Sequence, residues 1–343
     1  EWHTHNEVNG LALSGLGNRL LVNAGRLGEP TRAAYLNNTL TINGDNHSAK
    51  IGGGIVEGFT SEGLDYSSGI SGPAISNASH FRNLILLHGT EDTNAYFVVF
   101  DEVEANVNDK VKNYLHPANQ SGIITIDDGI LYDATIDHKP TIGGTKLSLF
   151  YATPASAINV EKVEGAVQDR YPGYPKHSRL ESVYDTDENG KINLVTMLFP
   201  FDFNIPKPQA KRITSTGVTG GIIDHGNNVK DVVLESSNSQ LYTTEGISFF
   251  GKAVIARMEN SVNSFYFVRQ GTYFNQNGIG FESDGDISIY AKGNVGVIFS
   301  SGAKVKLTGS DIQNIQFDVS VNLISSGAGF IEIQLPSGVV RFQ

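Results

Sequence analysis

Apolar and polar residues alternate with a period of two along nearly the whole chain. Residues 83–88 and 95–103, for example, are rich in β-branched and aromatic side chains, and turn residues separate them. Successive side chains of a strand point to opposite faces, so the alternation predicts half-buried strands. Helical periodicity is rare: residues 155–163 form the best short candidate, and residues 253–260 form a weaker one. The pattern predicts an all-β protein built on a large antiparallel β-sandwich.

The spacing of the strands changes after about residue 245. From there on the predicted strands are short, and glycine, asparagine and serine turns connect them. A length of 343 residues is sufficient for a large sandwich and a second, smaller domain. We therefore predict a β-sandwich over residues 1–245 and a smaller C-terminal β domain over residues 246–343.

Composition and charge exclude several classes of function. The net charge of −11 argues against nucleic-acid binding, because a phosphate backbone is bound by an excess of lysine and arginine. An anionic substrate stays open, since a local cleft can be basic on an acidic protein. The absence of cysteine excludes disulfides, thiol catalysis and thiolate zinc sites. No apolar run is long enough to predict a membrane span.

A short acidic segment resembles the start of a calcium loop. Asp185, Asp187 and Asn189 place oxygen ligands at alternate positions, and Gly190 suits a sharp turn. The closing position is Thr196, where a calcium loop has a bidentate glutamate, and the flanking residues have strand character rather than helix character. Because Asn-Gly is a strong hairpin signal, we predict an ordinary hairpin turn and no calcium.

A loop that begins at Arg170 mixes cations with aromatic residues over residues 170–177. Arginine pairs with carboxylate or sulfate groups, and aromatic faces pack on pyranose rings. Arg170 is therefore a candidate substrate-binding residue, and a well-anchored surface loop without a ligand is the alternative.

The first residues of the chain carry the most chemistry. His3 and His5 are two positions apart, so on a strand they share a face with Glu7 and Asn9. Such a row predicts a site at the mouth of a sheet. A mobile N-terminus that carries two histidines, or a weak surface metal site, is the alternative.

This opening resembles the start of the central β-sandwich of heparinase II/III-like polysaccharide lyases. That family has a His-x-His-x-Asp-x-Asn signature, then Asp-x-Gly, then His-Asn-Thr before a strand. The corresponding segments here are residues 3–9, 23–25 and 37–39. The likeness continues through residues 82–88, 96–103 and 113–117. In the order of its motifs and the spacing of its predicted strands it extends over about the first two hundred residues.

The resemblance implies cleavage of uronic-acid-containing chains by β-elimination. A base removes the proton on C5 beside the uronate carboxyl group, and an acid protonates the leaving oxygen. By motif match His3 takes the place of a catalytic or substrate-binding histidine, and Asn9 becomes a candidate substrate-binding residue. Tyr35 is the candidate acid/base tyrosine, for which an aromatic residue at a strand edge is the alternative reading.

The resemblance also implies a degenerate zinc site. Family members that bind structural zinc use positions that correspond to His5, Asn23 and Asn37, so two of the three ligands are amides here. A neutral amide is a poor zinc ligand beside imidazole or carboxylate, so we expect the metal to be lost and amide hydrogen bonds to hold the strands together. Zinc binding with another group in place of the missing ligands is the alternative.

In the family an (α/α) toroid precedes this sandwich and supplies part of the cleft. We therefore expect this chain to be the C-terminal part of a larger lyase, with little activity alone, whose partners are that toroid and an anionic polysaccharide. Alginate, ulvan and glycosaminoglycans all fit, and a secreted or periplasmic bacterial protein is expected. A non-catalytic carbohydrate-binding or structural sandwich is the competing hypothesis, and an unrelated secreted β protein with a chance signature is a third.

Overall fold

A computed structural model gives the fold and describes residues 6–23, 32–138, 141–163, 176–237, 240–310 and 312–343. The predicted all-β fold is confirmed: strands dominate these ranges, and their only helices are short 3-10 turns at Ala34–Leu36, Gly72–Ala74 and Ile312–Asn314. None of the helices in these ranges is long and apolar enough to cross a membrane.

The strands, numbered in chain order, range from two residues at Ser14–Gly15 to fifteen at Val262–Gln276. The three longest lie within residues 247–292, where the sequence predicted short strands. The strands are β1 Ser14–Gly15, β2 Asn18–Arg19, β3 Leu40–Ile42, β4 Gly54–Thr60, β5 Leu64–Ile70, β6 Ser79–Leu87, β7 Tyr96–Glu104, β8 Lys110–Leu115, β9 Ile124–Asp127, β10 Leu131–Thr135, β11 Lys146–Tyr151, β12 Ala157–Val163, β13 His177–Asp185, β14 Lys191–Phe201, β15 Gln209–Ser215, β16 Val218–Gly226, β17 Val229–Ser236, β18 Tyr242–Thr244, β19 Ile247–Glu259, β20 Val262–Gln276, β21 Ile279–Lys292, β22 Val295–Ser301, β23 Lys304–Thr308, β24 Asn322–Gly327, β25 Phe330–Gln334 and β26 Ser337–Phe342.

The first compact unit comprises Glu1–Gly58, Ser67–Leu86 and Ala95–Lys207. Its larger sheet has the order β4-β5-β6-β7-β14-β11-β10-β9, and its smaller sheet has the order β12-β13-β8-β3. The two sheets share their apolar cores. One core, for example, combines Val111 and Tyr184 of the smaller sheet with Val103 and Leu194 of the larger one. The predicted antiparallel sandwich is therefore confirmed, and its interior is formed by the inward-facing residues of both sheets.

The second compact unit comprises Phe59–Tyr66, Leu87–Asn94 and Pro208–Gln343. Its strands join in a twelve-stranded antiparallel sheet that runs from β15 to β26. The last segment of this unit therefore begins at Pro208, whereas the predicted boundary of the C-terminal domain lies between residues 245 and 246. The reason is that β17 pairs with β19 over seven residue pairs, which ties β15–β17 to the strands that follow them.

Two local predictions differ from the structure. Both helix candidates are strands: residues 157–163 form β12, and residues 253–259 belong to β19. The turn at Asn189-Gly190 is also not a hairpin, because β13 belongs to the smaller sheet and β14 to the larger one. It is a tight turn, closed by the Gly190 amide on the Asp187 carbonyl, that carries the chain from one sheet to the other.

Candidate functional site

Tyr35 lies in the 3-10 turn Ala34–Leu36 of the first unit, and 43% of its surface is exposed. Its backbone carbonyl is held by two side chains. His116 Nε2 lies 3.2 Å from the carbonyl oxygen, and Arg179 Nη1 donates to it at 3.4 Å. The guanidinium carbon of Arg179 is also 5.6 Å from the centre of the Tyr35 ring. The phenol is thus accessible to a ligand while its backbone is fixed.

Arg179 is held in place from several sides. It lies on β13 directly opposite Glu161 of β12, and its Nη2 donates to the Glu161 carboxylate at 2.7 Å. Its guanidinium also lies 5.4 Å from the centre of the Tyr114 ring. Cations over aromatic faces are stabilised by the ring quadrupole. The register of the smaller sheet therefore places a nearly buried cation beside the exposed phenol.

A pair of buried histidines lies behind Tyr35. His116 Nδ1 and His177 Nε2 are 2.9 Å apart, and both side chains are inaccessible to solvent. A carbonyl oxygen can only accept, so His116 carries its proton on Nε2, toward Tyr35, and its Nδ1 accepts from His177. Burial lowers the pKa of His116 well below its usual range and lowers that of His177 to about 4. Both imidazoles are therefore neutral at neutral pH.

Asn9, the predicted substrate-binding amide, faces the interior of its unit. Its backbone is in the left-handed region, with φ of 54°. Its side-chain amide donates to the carbonyl of His80 at 3.1 Å and to that of Gly69 at 3.4 Å. The same nitrogen lies 3.3 Å from His80 Nδ1. These contacts support a structural role, and a contact of Asn9 with substrate stays a prediction.

The described amides at the predicted zinc positions are occupied by protein partners. Asn23 Nδ2 donates to the Glu7 carboxylate at 2.7 Å, and Asn23 Oδ1 accepts from Asn38 Nδ2 at 2.9 Å. Asn37 Nδ2 donates to the carbonyl of Ala33. Within the described ranges no three histidine, cysteine, aspartate or glutamate side chains are grouped to hold a metal. These amides do not fit a zinc ion.

Asn38, which was not among the residues predicted from the sequence, connects these groups. Its Oδ1 accepts the backbone N–H of His116 at 2.7 Å, and its Nδ2 shares its two hydrogens among the carbonyls of Leu11 and Val22 and the Oδ1 of Asn23. Asn38 is fully buried, so each of these bonds satisfies a group that water cannot reach. One amide therefore joins the Tyr35 region to the Asn23–Glu7 pair.

A buried ion pair lies beside this amide. Arg82 donates to both carboxylate oxygens of Asp101, at 2.6 and 2.9 Å, and its Nη1 donates to the carbonyls of Asn38 and Asn9. Burial alone raises the pKa of Asp101, but the charge of Arg82 and the hydrogen bond from His80 outweigh it and lower the pKa to about 2. Asp101 is therefore ionised at neutral pH and fixes Arg82.

Four of the predicted site residues thus lie in one hydrogen-bonded region of the first unit: Tyr35, Asn9, Asn23 and Asn37. The other three, His3, His5 and Arg170, lie outside the described residues, so the convergence of His3 with Tyr35 and the loss of zinc stay predictions. The additional residues found from the structure are Asn38, Arg82, His116, His177 and Arg179. The sequence signal for three of them, Asn38, Arg82 and His116, was only that they fall within the 37–39, 82–88 and 113–117 segments that matched the family.

Solved structures resemble this chain in fold over about three quarters of its length. Heparan sulfate lyase HepC from Pedobacter heparinus matches with a TM-score of 0.53 and 16% identity, over 76% of this chain and 38% of that one. A heparinase III structure matches with a TM-score of 0.50 and 15% identity, over 76% of this chain and 37% of that one. The chain has a heparinase-like fold. The predicted resemblance is thereby confirmed for the fold, over little more than a third of each relative's length.

No protein-family model matches the chain, and no curated protein matches it by sequence. At these identities the structural likeness establishes the fold and not the chemistry.

Proposed function

We propose that the chain is the sandwich part of a polysaccharide lyase that cleaves uronic-acid-containing chains by β-elimination. The heparinase-like fold supports the reaction class, since solved structures of that fold include a heparan sulfate lyase. The observation that carries the proposal is the exposed phenol of Tyr35, held at its carbonyl by His116 and Arg179 and flanked by the Arg179 cation.

The proposed chemistry needs two proton transfers. A base takes the C5 proton of the uronate, the electrons form the C4–C5 double bond, the bond from C4 to the glycosidic oxygen breaks, and that oxygen takes a proton. We assign proton transfer to the Tyr35 hydroxyl and to His3. A phenol fits this task because it can both accept and donate a proton from a fixed position. The nearby guanidinium adds positive charge where negative charge develops.

The proposed enzyme is completed by an (α/α) toroid. The chain spans only 38% of the HepC length that it matches, so the toroid is proposed as the partner that forms the other wall of the cleft. We also propose secretion, because uronate polysaccharides are extracellular polymers too large to enter a cell intact.

The test is the ultraviolet absorbance of the unsaturated uronate product. Alginate, ulvan and heparan sulfate are incubated with the chain alone and with the chain joined to a toroid segment. We expect product only from the joined protein, and we expect Tyr35→Phe to lower kcat by about 100-fold or more. Tyr273→Phe, a partly exposed tyrosine of the second unit, is the matched control. Full activity of Tyr35→Phe would remove Tyr35 from the mechanism.

A non-catalytic carbohydrate-binding sandwich is the second candidate. The internal hydrogen bonds of the Asn9 and Asn23 amides favour it, because amides committed to protein partners are not available to a substrate or a metal. It predicts retained polysaccharide binding with no unsaturated product from any pairing of chain and toroid.

A further inference from the structure

A fully exposed aromatic residue lies at the tip of the loop after β14. Phe203 exposes 97% of its surface, and no other large hydrophobic residue of the described ranges exposes more. A single exposed apolar residue is common on protein surfaces, so the exposure alone does not mark a binding site. What distinguishes Phe203 is the ordered turn that presents it and the lysine close to it in the fold.

The loop holds Phe203 outward through a closed turn. The Asp202 carboxylate accepts the backbone N–H groups of Asn204 and Ile205, both at 2.8 Å, and the Asp202 N–H donates to the Ile205 carbonyl at 2.9 Å. Such a turn limits the conformations available to the loop. The ring is therefore presented with little entropy left to lose on binding.

Two lysines pack on Phe201, which precedes the aromatic tip by two residues. Lys146 is the direct cross-strand partner of Phe201, and its Nζ is 6.0 Å from the centre of the Phe201 ring. Lys207 lies on the same ring at 5.9 Å, but it also forms an ion pair with Asp133 at 2.6 Å. Among the described residues Lys146 forms no ion pair, and one oxygen of the nearby Asp202 carboxylate is occupied by the turn. Lys146 is thus the cation available to a ligand.

We propose that Phe203 and Lys146 form a carbohydrate subsite for an anionic polysaccharide, with a pyranose ring on the Phe203 face and a carboxylate or sulfate near Lys146. The aromatic face attracts the weakly positive C–H groups of a sugar, and the ammonium group pairs with the anion. A phenylalanine alone would also fit a neutral polymer, and the uncommitted Lys146 favours an acidic one. The subsite rests on the proposed function for its ligand class but adds residues outside the Tyr35 region.

The test is affinity electrophoresis of the full chain in gels that contain heparan sulfate, alginate or neutral dextran. We expect Phe203→Ala to weaken binding to the acidic polymers by about tenfold, and Phe203→Trp to retain it. Lys146→Gln should weaken binding by about threefold or more and reduce its salt dependence. Ile51→Ala, which changes a side chain that is 96% exposed, is the control and should bind as the unmodified chain does. Equal unfolding midpoints confirm that the variants fold.

Several outcomes overturn the subsite. They are unchanged binding by Phe203→Ala, equal loss by Ile51→Ala, equal loss on dextran, and Phe203-dependent binding to anionic lipid vesicles without binding to the polymers. The result is separable from the elimination assay. A chain that makes no unsaturated product but binds through Phe203 disproves the lyase and keeps the subsite. A chain that makes product but binds independently of Phe203 supports the lyase and disproves the subsite.

Discussion

At the residue scale, the stability of the fold depends on two buried aspartates, each of which binds an arginine and a histidine. In the first unit Asp101 accepts from both Arg82 and His80. The second unit repeats the arrangement with Asp231, Arg257 and His225. Burial raises the pKa of each aspartate, but its two basic partners prevail and lower it to about 2. A buried charge of this kind is tolerated only while its partners stay in place.

Removing the charge of Asp101 should therefore be strongly destabilising. Asp101→Asn keeps the shape of the side chain but leaves the Arg82 cation buried without a carboxylate, and we expect a loss of about 3–5 kcal/mol. The control is Asp185→Asn, which removes an exposed ion pair with Lys110 and should cost at most about 1 kcal/mol. Urea unfolding with unchanged slope measures both. Equal midpoints for the two variants would contradict a structural role for the Asp101 pair.

At the scale of elements, the turn between β13 and β14 joins the two sheets of the sandwich. Gly190 has φ of 72°, a conformation that glycine adopts without strain. A Cβ at this position would also collide with the carbonyl oxygen of Ala105. The alternating residues and the Asn-Gly pair predicted a turn correctly, but not its partner strands. Strand pairing depends on distant residues, and local periodicity does not report them.

Gly190→Ala should lower stability through both effects. We expect about 1–3 kcal/mol for the positive φ, with the collision against Ala105 added to it. Gly129→Ala is the matched control, because Gly129 has φ of 66° and no atom lies within 4 Å of the point that an added Cβ would occupy. The difference between the two unfolding free energies isolates the collision. A Gly190→Ala variant no less stable than Gly129→Ala would mean that the two sheets can shift to relieve it.

Residues 157–163 show the same limit of local pattern. Their apolar spacing favoured a short helix, yet they form the edge strand β12 because they pair with all seven residues from His177 to Val183 of β13. A run of this length is compatible with the periodicity of a helix and with that of a strand. The free edge of β13 makes it a strand. The pairing matters for the candidate site, since it is what places Glu161 opposite Arg179.

At the scale of the whole molecule, the all-β class and the heparinase-like likeness could be predicted from the sequence, because alternation and motif order are local properties. The candidate site could be predicted only in part. Tyr35 was selected by motif, whereas Arg179 has no distinguishing sequence context and His177 was only the last residue of the predicted 170–177 loop. They reach Tyr35 through the pairing of β13 with β12 and with β8, and the second of these pairings joins residues more than sixty positions apart, such as Leu180 and Leu115. Such a cluster forms only in the folded chain, so no fixed spacing in the sequence indicates it.

Stability should fall as the pH decreases from 6.5 toward 4. Burial lowers the pKa of His47 and of His177 from 6.5 to about 4 in the folded chain. Between these values the unfolded chain binds protons that the folded chain does not. Proton binding therefore stabilises the unfolded state, and the free energy of unfolding decreases. Each histidine accounts for up to roughly 3 kcal/mol, and the loss is complete below pH 4.

Asp101 and Asp231 add a second loss at lower pH, because their depressed pKa values make stability fall again from pH 3.8 toward 2. Urea unfolding at constant ionic strength across this range measures both losses. His47→Gln and His177→Gln should each flatten the upper part of the curve while leaving the lower part unchanged. If the unmodified chain is equally stable at pH 6.5 and pH 4, burial does not keep these histidines neutral. The hydrogen-bond directions assigned to His116 and His177 behind Tyr35 would then be wrong as well.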